Sequence, residues 1–74
     1  METTVKSLRL LRRERLYTTQ GLARRAGVAR DTITQCEAGR RTPELSTISK
    51  LSRALGVEPA EVREFAKAIE GETS

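Results

Sequence analysis

Residues 22–41 constrain the fold more than any other part of the chain, because they place one glycine between two short helical segments. The stretch reads LARRAGVARDTITQCEAGRR. A left-handed glycine ends a helix without steric strain, so Gly27 predicts a sharp turn between the two segments. Gly39 is expected to end the second segment in the same way. Two helices joined by so short a turn form a helical hairpin.

The segments on either side of this stretch also have helical spacing. Val5, Leu8 and Leu11 fall three apart and predict a first helix from about Thr4 to Arg15. Two further apolar faces predict a fourth and a fifth helix, with Leu45, Ile48, Leu51, Ser52 and Leu55 on the fourth, and Val62, Phe65, Ala66 and Ile69 on the fifth. We therefore predict an all-α fold, a compact bundle of about five short helices. Residues 4–70 would form one domain and residues 71–74 a frayed tail.

Local signals also define the helix ends around the central turn. Thr18 is expected to cap the second helix, with Tyr17 and Leu22 packed together as a hydrophobic staple. This helix would run from Thr19 to Arg25 or Ala26, and the third from about Arg30 to Glu37. Near the C-terminus, Gly56 ends the fourth helix and Glu58 suits the cap of the fifth. Pro43 and Pro59 suit first-turn positions.

The composition excludes several classes of function. The chain has 74 residues, no histidine, and Cys36 as its only cysteine. A chain of this size buries only about 60% of the surface that it exposes when unfolded, so no deep catalytic cleft is expected. Without histidine, zinc sites of the usual kind and histidine-based catalysis are excluded. We expect no enzyme activity, no metal, no cofactor and no disulfide.

The charge distribution points to a polyanionic partner. The net charge is +4, but residues 1–41 hold ten Lys and Arg against four Asp and Glu, while residues 42–74 hold four against six. Eleven of the fourteen cations are arginines, whose planar guanidinium suits bidentate contacts to phosphate or guanine. No apolar run is long enough to span a membrane and the N-terminus has no apolar signal core, so a cytoplasmic protein is expected.

Several positions in register resemble one known family. They are Arg12 in the first helix, Leu22-Ala23 in the second, Gly27-Val28 at the turn, Thr32-Ile33 in the third, then Glu37-Ala38-Gly39-Arg40, Pro43 and Leu55-Gly56-Val57. This run resembles the Cro/repressor-like (XRE-type) helix-turn-helix family over about two thirds of the chain. The resemblance implies a lambda-repressor-like DNA-binding domain with the helix-turn-helix at helices 2 and 3. Its third helix would lie in the major groove of double-stranded DNA.

The resemblance and the helical phase together assign roles to residues. Ile33 and Cys36 would face inward, leaving four base-reading candidates on the third helix: Arg30, Asp31, Thr34 and Gln35. Phosphate contacts would come from the start of the second helix and from the turn after the third: Thr18, Thr19, Gln20, Arg40 and Arg41. The family commonly joins the positions of Arg12 and Glu37 by an internal ion pair. Arg24 and Arg25 suit either a phosphate contact or a solvated basic surface.

Some positions have two interpretations or depart from the family. Asp31 suits a cytosine contact, but a carboxylate also stabilises a helix N-terminus. Cys36 is either a redox sensor or a small buried apolar residue. Gly21 stands where the family often has Glu, and glycine inside a helix costs about 1 kcal/mol relative to alanine. Ala29 stands where a Ser or Thr would cap the third helix.

Three functions are consistent with these features. The first is a sequence-specific transcriptional regulator, most simply a repressor, that binds DNA as a homodimer through residues 58–70. Within that segment, Phe65 and Ile69 suit either the core or a partner, and Leu10, off the main face of the first helix, is expected at the surface. The second is a DNA-binding antitoxin whose C-terminal helix grips a toxin. The third is a protein-interaction adaptor that never reads DNA, against which the basic first half argues.

Overall fold

The computed structural model describes the backbone of residues 5–73 and the side chains of residues 5–71. Five α-helices follow one another: α1 Leu8–Glu14, α2 Thr19–Ala26, α3 Arg30–Glu37, α4 Leu45–Leu55 and α5 Arg63–Thr73. A 3₁₀ turn, Pro59–Glu61, precedes α5. Within the described residues there is no β-strand, so the predicted all-α bundle is confirmed.

One hydrophobic core holds the five helices together. α2 packs against both α3 and α4, while α1 contacts α3 and α5 contacts α4. Every helix contributes buried side chains, and the core consists of Leu8, Leu11, Leu22, Ala23, Ile33, Cys36, Ile48, Leu51, Leu55, Val62, Phe65 and Ala68. Because α2 and α3 each present only one face to this core, their other faces remain at the surface.

The α2–α3 hairpin forms as the glycine predicts. Gly27 has φ 74° and ends α2, and the amides of Gly27 and Val28 both donate to the Ala23 carbonyl at 2.9 and 3.0 Å. Thr18 caps α2, and its Oγ1 accepts a hydrogen bond from the Gly21 amide at 2.9 Å. Tyr17 packs against the core, as its place in the expected staple requires.

The predicted start of the first helix is wrong. α1 begins at Leu8 after the cap Ser7, and Val5 precedes the helix and is 43% exposed instead of lying on the apolar face. The cause is a pairing with the other end of the chain. The Lys6 amide donates to the Glu61 carbonyl at 3.0 Å, and the Arg63 amide donates to the Lys6 carbonyl at 2.9 Å. Thr4, the predicted first residue, lies outside the described residues.

The same pairing divides the predicted fifth helix. Val62 forms an isolated parallel bridge with Lys6 and is extended, with φ −103° and ψ 122°, so α5 begins only at Arg63. Val62 and Phe65 are nevertheless fully buried, and Ala68 joins them, a core position that the sequence reading missed.

Two details of the fourth helix also differ from expectation. Leu45, placed on the buried face by its spacing, is 54% exposed because it begins α4 beyond the edge of the core. Pro43 lies before the cap residue Glu44 rather than in the first turn, and it is buried.

Candidate nucleic-acid interface

α3 is held to the protein by one face and exposed on the other. Ile33 and Cys36 are fully buried in the core. On the opposite side, Arg30, Asp31 and Thr34 are exposed. Arg30 and Thr34 are four residues apart and therefore share one strip of the helix surface. This arrangement presents a polar helix face on a rigid support.

Gln35 is half-buried rather than facing solvent as expected. The chain after α3 folds back at this point, since the Arg40 amide donates to the Gln35 carbonyl at 3.0 Å. Gln35 is thus less accessible than Arg30 and Thr34, although part of its side chain still reaches the surface.

The exposed side chains at the start of α3 have distinct chemistry. The Thr34 hydroxyl donates to the Arg30 carbonyl at 3.2 Å, which leaves its methyl group and an oxygen lone pair for other contacts. Asp31 lies in the first turn of α3, and the cap residue Ala29 makes no side-chain bond to the helix. The Asp31 carboxylate therefore supplies the negative charge that favours a helix N-terminus.

The start of α2 explains the unexpected glycine at position 21. Thr18 and Gln20 are exposed there and Thr19 is half-buried. A Cβ atom at Gly21 would lie 3.1 Å from Thr18 Oγ1, the atom that caps the helix. A side chain at this position would therefore crowd the capping hydroxyl. Avoiding this contact offsets part of the low helix propensity of glycine.

The arginines near α2 and after α3 fall into two groups. Arg24, Arg40 and Arg41 are exposed, and none of the ion pairs found among residues 5–71 includes them. The Arg25 guanidinium instead lies over the Tyr17 ring, 5.2 Å from its centroid, in a cation–π contact. Arg25 thus has a structural contact, whereas Arg40 and Arg41 present their charges to solvent.

Arg12 and Glu37 form the ion pair that the family resemblance implies. Arg12 Nε donates to Glu37 Oε2 at 2.7 Å, and Arg12 Nη2 donates to Glu37 Oε1 at 3.1 Å. The Glu37 side chain is only 3% exposed. Arg12 Nη1 also donates to the Tyr17 carbonyl at 2.8 Å. One guanidinium therefore ties α1 to the end of α3 and to the turn before α2, and its bond to Glu37 raises the pKa of Arg12.

Arg9 is a further member of this pair that the sequence reading missed. Its Nε lies 3.5 Å from Glu37 Oε1 at the exposed edge of the pair. The signal was present in the sequence, because Arg9 and Arg12 are three residues apart and so share one side of α1.

Cys36 has the environment of a core residue. It is fully buried, and burial raises the pKa of its thiol, with Arg41 opposing the shift and with Glu64 and Glu37 adding to it. The thiolate is the reactive form of cysteine, so a raised pKa lowers reactivity. This environment favours the packing role over the redox sensor.

Neither a metal site nor a membrane span is found in the part of the chain that the structure describes. Its His, Cys, Asp and Glu residues form no group of three able to hold an ion. Its helices are too short or too polar to cross a bilayer.

Comparison with known families identifies the type of domain. The sequence model of a family described as "Helix-turn-helix domain" matches residues 6–65, which includes the α2–α3 hairpin and reaches into α5. The chain has no significant match among curated proteins or solved structures. Domains with this motif bind DNA and are typically not enzymes. The family match covers most of the chain, and the chain therefore belongs to the helix-turn-helix domain family.

Proposed function

We propose that this protein is a sequence-specific transcriptional regulator of the Cro/repressor-like (XRE) type that acts in the cytoplasm and represses by occupying promoter DNA. The observation that carries this proposal is the two-sided character of α3. Ile33 and Cys36 fix it to the core, while its outer face is polar and bears Arg30, which takes part in none of the ion pairs among residues 5–71. The major groove of B-DNA admits one α-helix, and base pairs are distinguishable there.

Each candidate on α3 matches a different base. Arg30 suits a bidentate contact with guanine O6 and N7, and the Thr34 methyl suits the thymine methyl. Gln35 suits adenine, which it would reach with the exposed part of its side chain. Asp31 stays next to the α3 N-terminus and accepts from a cytosine amino group only where the operator offers one.

Phosphate contacts would flank this reading face. The start of α2 offers its N-terminal dipole with the side chains of Thr18, Thr19 and Gln20, and helix N-termini attract phosphate. After α3, Arg40 and Arg41 follow Gly39, and no ion pair among the described side chains engages them. These two groups of phosphate contacts would fix the orientation of α3 in the groove.

A homodimer would place two copies of α3 on DNA half-sites about 34 Å apart. For a dimer through residues 58–70, the exposure of the side chains limits which of them could contact a second copy. Phe65 is fully buried and serves the core, Ile69 is half-buried, and Arg63 and Lys67 are exposed. An interface there would be largely polar. Leu10, which is 45% exposed on α1, offers an apolar alternative.

The test is selection of bound sequences from a random DNA pool, followed by affinity measurements on single-base variants of the selected site. Arg30→Ala should reduce discrimination at one base pair by about 1–3 kcal/mol, with some loss on all sequences. Gln35→Ala should do likewise at a neighbouring base pair, and its melting temperature should be recorded because Gln35 is half-buried. Arg53→Ala removes an exposed arginine from α4 and should leave the base preference unchanged.

Other outcomes would direct attention to the alternative functions. If Arg30→Ala weakens binding to every sequence by the same factor, as the control Arg53→Ala would, α3 does not read bases as assigned. If the folded protein binds no DNA even at low salt, the adaptor function replaces the regulator. Co-purification of a stable toxin from the native host would favour the antitoxin.

A further inference from the structure

A pocket of about 300 Å³ lies between the loop after α3 and the first two turns of α5. Its inner wall is formed by the buried side chains Cys36, Pro43 and Ala68. Ligand pockets in proteins span about 300–1,000 Å³, so this one has room for a small molecule or a single chemical group of a larger one. It lies on the C-terminal side of α3, beside the proposed phosphate contacts of the loop.

Cationic side chains from two separate elements line the rim of this pocket. Arg41 comes from the loop, and Arg63 and Lys67 come from α5, four residues apart and therefore on one side of the helix. All three are exposed, and the ion pairs of residues 5–71 use none of them. Three unpaired like charges around one concavity repel each other unless an anion lies between them.

The single carboxylate in the pocket is already engaged. Glu64 Oε1 accepts a hydrogen bond from the Leu8 amide at 2.9 Å, which ties this side chain to the start of α1. Thr42 adds a hydroxyl donor to the lining. The pocket also faces the N-terminal part of α5, an eleven-residue helix whose dipole favours negative charge at that end. Donors and positive charge therefore outweigh the one acceptor.

We propose that this pocket binds a phosphate group, held by Arg41, Arg63 and Lys67. Guanidinium groups bind phosphate through paired hydrogen bonds, and lysine adds a point charge. The group belongs either to a free phosphorylated small molecule or to the DNA backbone. Arg41 is also among the proposed DNA contacts, so this part of the inference rests on the proposed function. A free ligand would then compete with DNA for Arg41. The affinity for DNA would therefore fall as the concentration of this ligand rises.

The first experiment is carried out without DNA. The ¹⁵N-labelled protein is titrated with sodium pyrophosphate, with sodium chloride at matched ionic strength as the reference, and amide shifts are followed by NMR. Saturable shifts are expected for the amides of residues 39–42 and 63–68. The double variant Arg63→Ala/Lys67→Ala should bind pyrophosphate at least about tenfold more weakly, the equivalent of about 1.4 kcal/mol.

A matched control comes from the other end of the fold. Lys50→Ala/Arg53→Ala also removes one lysine and one arginine from exposed helical positions. Together with Arg25, these two side chains line a separate concavity of about 410 Å³. It lies between the C-terminal end of α2 and the second half of α4. The C-terminal ends of helices disfavour anions. If both double variants weaken pyrophosphate binding equally, or if the unmodified protein shows no saturable shift, the proposal is overturned.

A second arm with DNA identifies the source of the phosphate group. If it belongs to the DNA backbone, Arg63→Ala/Lys67→Ala should lower the salt slope of DNA binding by about one per lost contact, and the control should not. If it belongs to a free ligand, the variant keeps its salt slope, and pyrophosphate displaces DNA only from proteins that retain Arg63 and Lys67. Complete absence of DNA binding would contradict the proposed regulator but would leave the pyrophosphate result standing.

Discussion

Glu37 occupies a position where a carboxylate is unfavourable unless it is paired. It is the last residue of α3, and the C-terminal end of a helix repels negative charge. The positive charges of Arg12 and Arg9 offset this repulsion. The two hydrogen bonds from Arg12 also replace those that water would make to the carboxylate if it were exposed. The pair therefore sets the position of α3 relative to α1, which is the geometry on which a reading helix depends.

Glu37→Gln should strongly destabilise the fold, even in the absence of DNA. Removing one partner of a buried pair costs about 3–5 kcal/mol, because the other charge loses its partner. For a domain of this size, each kcal/mol lowers the melting temperature by roughly 4–8 °C. Thermal unfolding followed by circular dichroism measures this loss.

The matched control is Glu14→Gln. Glu14 pairs with Lys6 at 2.9 Å, but both side chains are more than a third exposed. Exposed pairs contribute only about 0–1 kcal/mol, so this variant should melt within a few degrees of the unmodified protein. Equal effects of the two substitutions would show that the Arg12–Glu37 pair contributes no more than a surface contact.

Cys36 is expected to make the free energy of unfolding depend on pH in the alkaline range. Burial raises the pKa of its thiol, so the unfolded chain loses the proton first, near pH 8.5. The stabilisation from burying the neutral thiol is therefore complete below about pH 8.5 and declines as the pH rises toward the folded pKa. Urea unfolding between about pH 7.5 and about pH 9.5 should show this decline. Cys36→Ala, although less stable throughout, should lack it; the same decline in that variant would assign it to other groups.

At the scale of elements, the turn between α1 and α2 contains a strained residue. Leu16 has φ 59° and is 90% exposed, and its amide donates to the Arg13 carbonyl at 3.0 Å. The left-handed conformation costs a residue with a side chain about 1–2 kcal/mol. The turn that contains Leu16 places the Tyr17 carbonyl where it accepts a hydrogen bond from Arg12 Nη1 at 2.8 Å.

Leu16→Gly should therefore stabilise the protein. The substitution removes the strain of about 1–2 kcal/mol, while the extra freedom of glycine in the unfolded chain takes back about 0.5–1 kcal/mol. The melting temperature should rise by a few degrees. Arg15→Gly is the control, because Arg15 is exposed, adjacent, and has φ −97°. That variant should be less stable than the unmodified protein; a gain in both would point to a cause other than strain at Leu16.

Elements with local signals were predictable from the sequence, and elements fixed by distant contacts were not. α2 and α3 have the expected bounds because Thr18, Gly27 and Gly39 mark their ends within a few residues. The starts of α1 and α5 were wrong because Lys6 pairs with Val62, and no local pattern reports a contact between residues so far apart in sequence. Spacing likewise gave the face on which Leu45 lies but not how far the core extends.

The same distinction applies to the candidate site. Helical phase placed Arg30 and Thr34 on the exposed face, since it depends only on the position of Ile33 and Cys36. It failed for Gln35, which is half-buried at the end of α3, where the Arg40 amide donates to its carbonyl. The pocket beside α5 also lay beyond the reach of the sequence, because it joins residues 41 and 63 through the packing of the whole bundle.

For the whole molecule, the fold leaves most of its positive charge unpaired. The net charge is +4, and the ion pairs of residues 5–71 engage only Lys6, Arg9 and Arg12. A surface of this kind attracts polyanions through release of their counterions, and that attraction weakens steeply as salt rises. The charge alone favours binding to any DNA; the arrangement of the cations decides which of them touch phosphate.

Arg40→Ala/Arg41→Ala should lower the salt dependence of DNA binding. Each phosphate contact contributes about 0.9 to the slope of the logarithm of the binding constant against the logarithm of salt concentration. Loss of both contacts should therefore reduce the slope by about two, with equal weakening on all sequences. Arg13→Ala/Arg15→Ala removes the same charge from two exposed arginines at the end of α1 and controls for net charge. Equal slopes for the two double variants would mean that the arginines after α3 attract DNA only through their charge, without touching its backbone.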